Sequence, residues 1–213
     1  ILKNIKKVAS GILLSACAVS TAMADQIDLS TPEGVIEATR KIYCRSADEK
    51  PMFYRFEGTA FGRKRGEADK TLFLVSGMST RQCVTVKDEV KGDGYKLVTR
   101  EVMLYIDPKT GKAMDKWHNP YLQRDVDVMH VENDPVNQRP SFPYDAEGKP
   151  AARWFGKEIG DSWFMNLTVP LFYHNPMQGD YQKYVGGAYH ATEMFSFIGK
   201  TADLLDGDKD VAN

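Results

Sequence analysis

The stretch Met52-Phe53-Tyr54-Arg55-Phe56-Glu57-Gly58-Thr59-Ala60-Phe61 decides the fold. Met52, Tyr54, Phe56, Gly58 and Ala60 alternate with Phe53, Arg55, Glu57, Thr59 and Phe61. A period of two is the side-chain period of a β-strand, so this segment reads as a strand with aromatics on both faces.

The same period recurs toward the C-terminus. Gly62 to Asp69 is a basic, glycine-containing turn, and Thr71–Val75 and Thr80–Val86 read as the next two strands. Lys91-Gly92-Asp93-Gly94 is a hairpin signal, because glycine tolerates the positive φ that tight turns demand. Tyr95 to Ile106 is a long strand, ended by the turn Asp107-Pro108-Lys109-Thr110-Gly111, with Lys112 to Trp117 as its return. Val126 to Glu132 is a short alternating segment. Trp163, Met165, Leu167, Val169, Leu171 and Tyr173 then alternate with Phe164, Asn166, Thr168, Pro170, Phe172 and His174. Tyr184 to Ile198 closes the series, with Gly186-Gly187 marking a bulge or bend. This many strands with no helix between them predict an antiparallel all-β fold. Long strands coil as they twist, so the expected form is a strongly curved sheet or barrel, lipocalin-like in outline. Residues 133–160, rich in Pro, Gly and polar side chains, read as a long loop of the kind that is functional or disordered.

One helix precedes the strands. Ser30-Thr31-Pro32-Glu33 supplies a hydroxyl N-cap, a proline in the first turn and an acid near the positive end of the dipole. Val35, Ile36, Ala38, Thr39, Ile42 and Tyr43 form its apolar face, which would lid or plug the β-structure.

Composition limits the functional classes. The chain has 213 residues, 42% hydrophobic and 27% charged, which suits one folded domain and excludes a disordered chain. Three cysteines are too few for a disulfide scaffold. A net charge of −1 argues against nucleic acid as a partner, which would need a concentrated basic face. Beyond the N-terminus no apolar run is long enough for a transmembrane segment. Nothing in the sequence sets an oligomeric state.

Residues 1–24 read as a signal peptide, leaving residues 25–213 as a single β-rich domain. Lys3, Lys6 and Lys7 form a basic n-region, Val8 to Val19 an apolar core, and Ala22-Met23-Ala24 an A-x-A site that places cleavage between Ala24 and Asp25. The segment carries basic residues and no acids, so its removal leaves a more acidic protein. A periplasmic or secreted protein is the expectation. A second reading stays open: Leu14-Ser15-Ala16-Cys17 resembles a lipobox, in which Cys17 would be acylated and anchor the chain to lipid. Cys44 and Cys83 are then either one disulfide or two buried free thiols.

The chain carries no G-x-S-x-G elbow, H-E-x-x-H pair, Walker loop or C-x-x-C, so no motif implies a cofactor. His118, His130, His174 and His190 lack the spacing of a local metal site, and any such site would have to be assembled by the fold. His130, Glu132 and Asp134 share strand parity, whereas His190 and Glu193 face opposite ways. The densest unusual segments are Trp117-His118-Asn119-Pro120-Tyr121 and His130-Val131-Glu132-Asn133-Asp134-Pro135-Val136-Asn137. They read either as two corner motifs or as a mouth formed by Trp117, Tyr121, His130 and Asn133.

Those segments, with Arg100-Glu101-Val102, Tyr105 to Gly111, Leu72 to Cys83 and Tyr184 to Phe197, resemble a bacterial exported domain-of-unknown-function family, number 1838 in the unknown-function series. The resemblance runs from about residue 35 to the end and implies no catalytic residue. It does imply a further Trp- and Pro-rich stretch beyond Asn213, without which a strand edge would stand exposed. Ile1 also stands where a methionine is expected.

Two functions follow as expectations. The first is a binder of a small apolar or aromatic molecule, lined by Trp117, Tyr121, Asn133, Trp163, Tyr189 and Phe195, because aromatics of this density furnish pockets as well as cores. The alternative is a hydrolase or lyase in which His130, Glu101, His190 and Glu193 converge, with or without a metal.

Overall fold

The computed structural model describes residues 26–45, 49–174 and 188–212. Helix α1 (Pro32–Tyr43) is followed by strands β1 (Met52–Gly62), β2 (Lys70–Asp88), β3 (Gly92–Ile106), β4 (Lys116–Asn119), β5 (Arg124–Asp127) and β6 (Val131–Asp134). Strands β7 (Lys157–Ile159), β8 (Ser162–His174) and β9 (Ala188–Lys200) lead to a short helix, α2 (Thr201–Leu205). The described strands form three antiparallel sheets, ordered β1-β2-β3-β6, β4-β5 and β7-β8-β9. The protein is mostly β with one main helix. No helix among the described residues is long and apolar enough to cross a membrane.

The capping chemistry fixes where α1 starts. The extended Thr31 accepts the Gly34 N–H on its hydroxyl at 3.1 Å, Pro32 opens the first turn, and Arg40 and Lys41 sit at the negative end of the dipole. The helix buries two faces. Ala38 and Ile42 pack with Trp163 and Met165 of β8 and with Ile27, Leu204 and Ala212. Ile36 and the C-cap Cys44 pack with Cys83 of β2 and Tyr95 and Leu97 of β3. Tyr43 touches both groups, so α1 is a wedge between the two larger sheets. Burying a side chain such as Met165 or Leu204, both at 0% exposure, contributes roughly 1.5–3 kcal/mol. A disulfide joins Cys44 to Cys83, their Cα atoms 5.7 Å apart, and ties the end of α1 to β2.

Lys41 pins the C-terminal segment to the wedge. Its ammonium, on a residue 1% exposed, donates to the carbonyls of Asp203, Leu204 and Asp206 at 2.9, 3.0 and 2.6 Å. The Asp203 and Leu204 carbonyls belong to the last turn of α2, whose carbonyls lack helical partners, and the Asp206 carbonyl just beyond also accepts the Lys209 N–H at 3.1 Å. Burial draws the amine below its ordinary value.

Several strands differ from their sequence-based bounds. Thr71–Val75 and Thr80–Val86 belong to one continuous strand, β2. The intervening Ser76-Gly77-Met78-Ser79 has little strand character of its own, but it is held by ladders to β1 on one side and β3 on the other. Gly77 is needed there: a Cβ would lie 2.2 Å from the Phe56 ring and 2.7 Å from the Val102 carbonyl oxygen. Val126 to Glu132 splits into β5 and β6 because the chain changes partner, from β4 to β3, between them. The expected return strand Lys112–Trp117 makes a single bridge, Ile106 to Ala113, before β4 leaves to pair with β5. The long loop is tied down over much of its length. Ser141 and Tyr95 exchange backbone hydrogen bonds at 2.8 and 3.0 Å, and Thr99 donates its hydroxyl to the Val136 carbonyl at 2.6 Å. This segment covers the edge of β3 beyond β6. Gly186-Gly187 lies outside the described residues.

Candidate functional site

Directly paired residues share a face of a sheet, so the register defines the face of the β1-β2-β3-β6 sheet that meets α1. It reads, from α1 outward, Thr85 and Tyr95; Cys83 and Leu97; Met52, Arg81 and Thr99; Tyr54, Ser79 and Glu101; Phe56, Gly77 and Met103; Val75 and Tyr105. On the β7-β8-β9 sheet the corresponding face carries Trp163, Met165 with Phe197, Leu167 with Phe195, and Val169 with Glu193. The Tyr43 ring meets Phe197 edge-on, 5.6 Å between centroids.

The end of the first face farthest from α1 is aromatic. Phe73 meets Tyr105 and Trp117 edge-on, with centroids 5.1 and 5.6 Å apart. The Trp117 indole donates to the Leu72 carbonyl at 3.3 Å, and the Met114 N–H donates to the Tyr105 carbonyl at 3.0 Å. These bonds hold the segment leading into the β4-β5 hairpin, and β4 itself, against Phe73 and Tyr105. An open cleft of about 200 Å³ remains, walled by Phe73, Tyr105, Met114, Trp117, Val126, Val128 and Met129, with Asp127 beside it. The Asp127 carboxylate is engaged outward by Lys116 at 3.0 Å, both side chains being largely exposed. The cleft wall is therefore apolar and its charge sits at the rim. His130 backs this wall: its Nδ1 accepts the Tyr105 N–H at 3.1 Å and its ring stacks on Tyr105 with centroids 5.9 Å apart. An accepting Nδ1 leaves the proton of the neutral ring on Nε2.

Midway along the same face lies a polar band. Glu101 pairs directly with Asp134 of β6. Burial pushes the Glu101 carboxyl above its ordinary range, Asp134 adds to that, Arg81 opposes it, and Glu193 from the other sheet adds again. The Arg81 guanidinium lies over the Tyr54 ring, 4.7 Å from its centroid, and its buried Nε has no hydrogen-bond partner among the described residues. Burial raises the Tyr54 and Tyr43 phenols, with Arg81 pulling each back.

The residues read from sequence thus fall in different places. Glu101 and Glu193 come within electrostatic reach across the two sheets. His130 is engaged by Tyr105, four residues along β3 from Glu101 and so about 13 Å away at the rise of a strand. His190 lies against Phe172, 4.2 Å between centroids, on the face of β9 opposite Glu193. Among the described residues no three or more His, Cys, Asp or Glu side chains are grouped to hold a metal ion.

Trp117 walls the cleft, whereas Tyr121 covers the end of β1, where a Cβ on Gly62 would lie 2.2 Å from its hydroxyl. Asn133 adopts φ 55° at the register shift between β3 and β6, a bulge that re-aims the chain before Asp134. Trp163, 2% exposed, is core, and Phe195 stands half-exposed beside Phe197. The Tyr189 side chain, Cys17, Ala24 and Asp25 lie outside the described residues. Phe73, Tyr105, Met114, Val126, Val128 and Met129 went unselected from sequence. The parity of Phe73 and Tyr105 was visible, but which parity faces inward was not.

Architecture and site together define a mostly β, antiparallel protein with a helical wedge and an aromatic cleft under a small hairpin. Residues 49–213 match the family described as Protein of unknown function (DUF1838), and the chain belongs to that family. No curated protein and no solved structure matches it.

Proposed function

We propose that the protein is an exported, curved or barrel-like β-protein that binds a small apolar or aromatic molecule in the cleft beneath the β4-β5 hairpin. The cleft itself carries this reading: about 200 Å³ of open space with seven apolar or aromatic side chains around it. That volume lies below the usual range for drug-sized ligands and suits one or two fused rings. Offset and edge-on contacts with Phe73, Tyr105 and Trp117 would hold such a ring.

Export rests on the basic, apolar and A-x-A segments of residues 1–24, with residues 25–213 as one mature domain, and on the Cys44–Cys83 bond, which suits an oxidising compartment. Intact mass of the protein from its native envelope separates cleavage after Ala24 from acylation of Cys17.

The binding test is a titration with naphthalene, followed by isothermal calorimetry, whose signal does not depend on the tryptophan content of the variants. A saturable heat of binding is expected, with affinity weakened about tenfold or more in Trp117→Ala and in the cleft-filling Val126→Trp. Wild-type protein that shows no saturation with naphthalene, or binding unchanged in both variants, refutes the assignment. An enzymatic reading, hydrolase or lyase, keeps one supporting observation, the approach of Glu193 to the raised Glu101 carboxyl.

A further inference from the structure

Strand β1 is an edge strand: it pairs with β2 on one side, and its other side pairs with no strand among the described residues. Such an edge presents a row of backbone donors and acceptors ready for another strand. Its outward face is exposed, with Phe53 at 69%, Arg55 and Glu57 side chains at 76% and 61%, and Phe61 at 63%.

The ladder to β2 is regular from Met52 to Ala60 and shifts register between Ala60 and Phe61. A bulge bends its strand, so the straight segment available for further pairing is residues 52–60. The midpoint of that segment is Phe56. Antiparallel pairing with an identical strand about Phe56 places Arg55 opposite Glu57 of the second chain and Glu57 opposite its Arg55. The same register sets Tyr54 across from Gly58, where a Cβ would meet nothing within 4 Å and space is open. Two residues away on either side the registers fail: one sets Arg55 against Arg55, the other Glu57 against Glu57. Like charges directly opposite are destabilising, so only the central register uses the full straight segment without a clash.

We propose that β1 is the interface for a second copy of this chain, joined antiparallel about a two-fold axis at Phe56 to make one continuous eight-stranded sheet. Isologous contact of this kind is self-complementary: each residue meets its counterpart's partner. Main-chain hydrogen bonds supply the affinity; Arg55 and Glu57, an ion pair within each chain, meet their counterparts as an alternating four-charge cluster that sets the register.

The test is analytical ultracentrifugation over a wide concentration range, on wild type, Arg55→Glu, Glu57→Arg and the double reversal. All these positions are exposed, and thermal melts check that each variant folds. A reversible wild-type dimer is expected, weakened about tenfold or more in each single variant and recovered in the double. A wild-type protein that stays monomeric throughout overturns the proposal. So does a dimer indifferent to both single reversals, or a double variant no better than the singles.

Discussion

Replacing Lys41 by methionine keeps the length and apolar stem of the side chain and deletes its three donors. The Leu204 carbonyl that it serves is buried, while the Asp203 carbonyl is partly buried and can recover water, and the partly buried Asp206 carbonyl keeps the Lys209 N–H at 3.1 Å. Leaving one buried acceptor unmet costs about 2–3 kcal/mol, and the two wetter ones about 0.5–1 each. Relief from burying an ammonium returns roughly 1 kcal/mol, which leaves a net loss near 3 kcal/mol. For a domain of this size that is a fall in Tm of about 6–12 °C. The loss should be local before it is global. Leu204, at 0% exposure, covers the same cluster as Trp163 and Met165, and the Ile27 N–H donates to the Leu205 carbonyl at 2.8 Å. Freed from Lys41, α2 should lift from this cluster and expose Trp163. Thermal melts, amide exchange at residues 201–206 and the tryptophan emission maximum read these effects separately. A Tm within about 2 °C of wild type, with unchanged exchange in α2, would mean the three bonds do not hold the C-terminal segment.

Two further outcomes follow from the same structure. Cys44→Ala with Cys83→Ala opens a link between residues 39 apart in sequence, for which chain entropy gives a loss of about 4 kcal/mol. Denaturant titration should show that drop, and a matching drop when wild type is reduced; a change under about 1 kcal/mol would refute it. Glu101 titrates above its ordinary 4.5 in the folded protein, so its contribution is full below the unfolded value and is lost as pH climbs through the raised one. Glu101→Gln should therefore melt higher than wild type at neutral pH, with the gap closing as pH falls toward the ordinary carboxylate value. A gap that is constant with pH, or of opposite sign, contradicts that burial effect.

Period-two alternation at Met52–Phe61, the Thr31-Pro32 start of α1, and the turn Asp107 to Gly111 were legible because each depends on neighbours in the chain. Helix caps, turns and strand parity are local properties of backbone and side chain, and they hold whatever the rest of the molecule does. The family pattern was legible for the same reason, as an ordered string of residues.

What depends on distant partners was not. The run Ser76-Gly77-Met78-Ser79 reads as a break and becomes strand only because β1 and β3 flank it. Val126 to Glu132 reads as one strand and becomes two because β4 and β3 each claim a part. Lys41 looks like a solvent-facing helical lysine until α2 closes over it. The cleft was out of reach too, since Phe73, Tyr105, Trp117 and Met129 share no spacing that a local rule detects. Sequence alone determined a β-rich chain with one capped helix, because those preferences are written in periods of two and 3.6 residues. Tertiary structure alone decided which face of the long strands is inward, because α1 wedges against one side of each of the two larger sheets and no local interaction distinguishes the two.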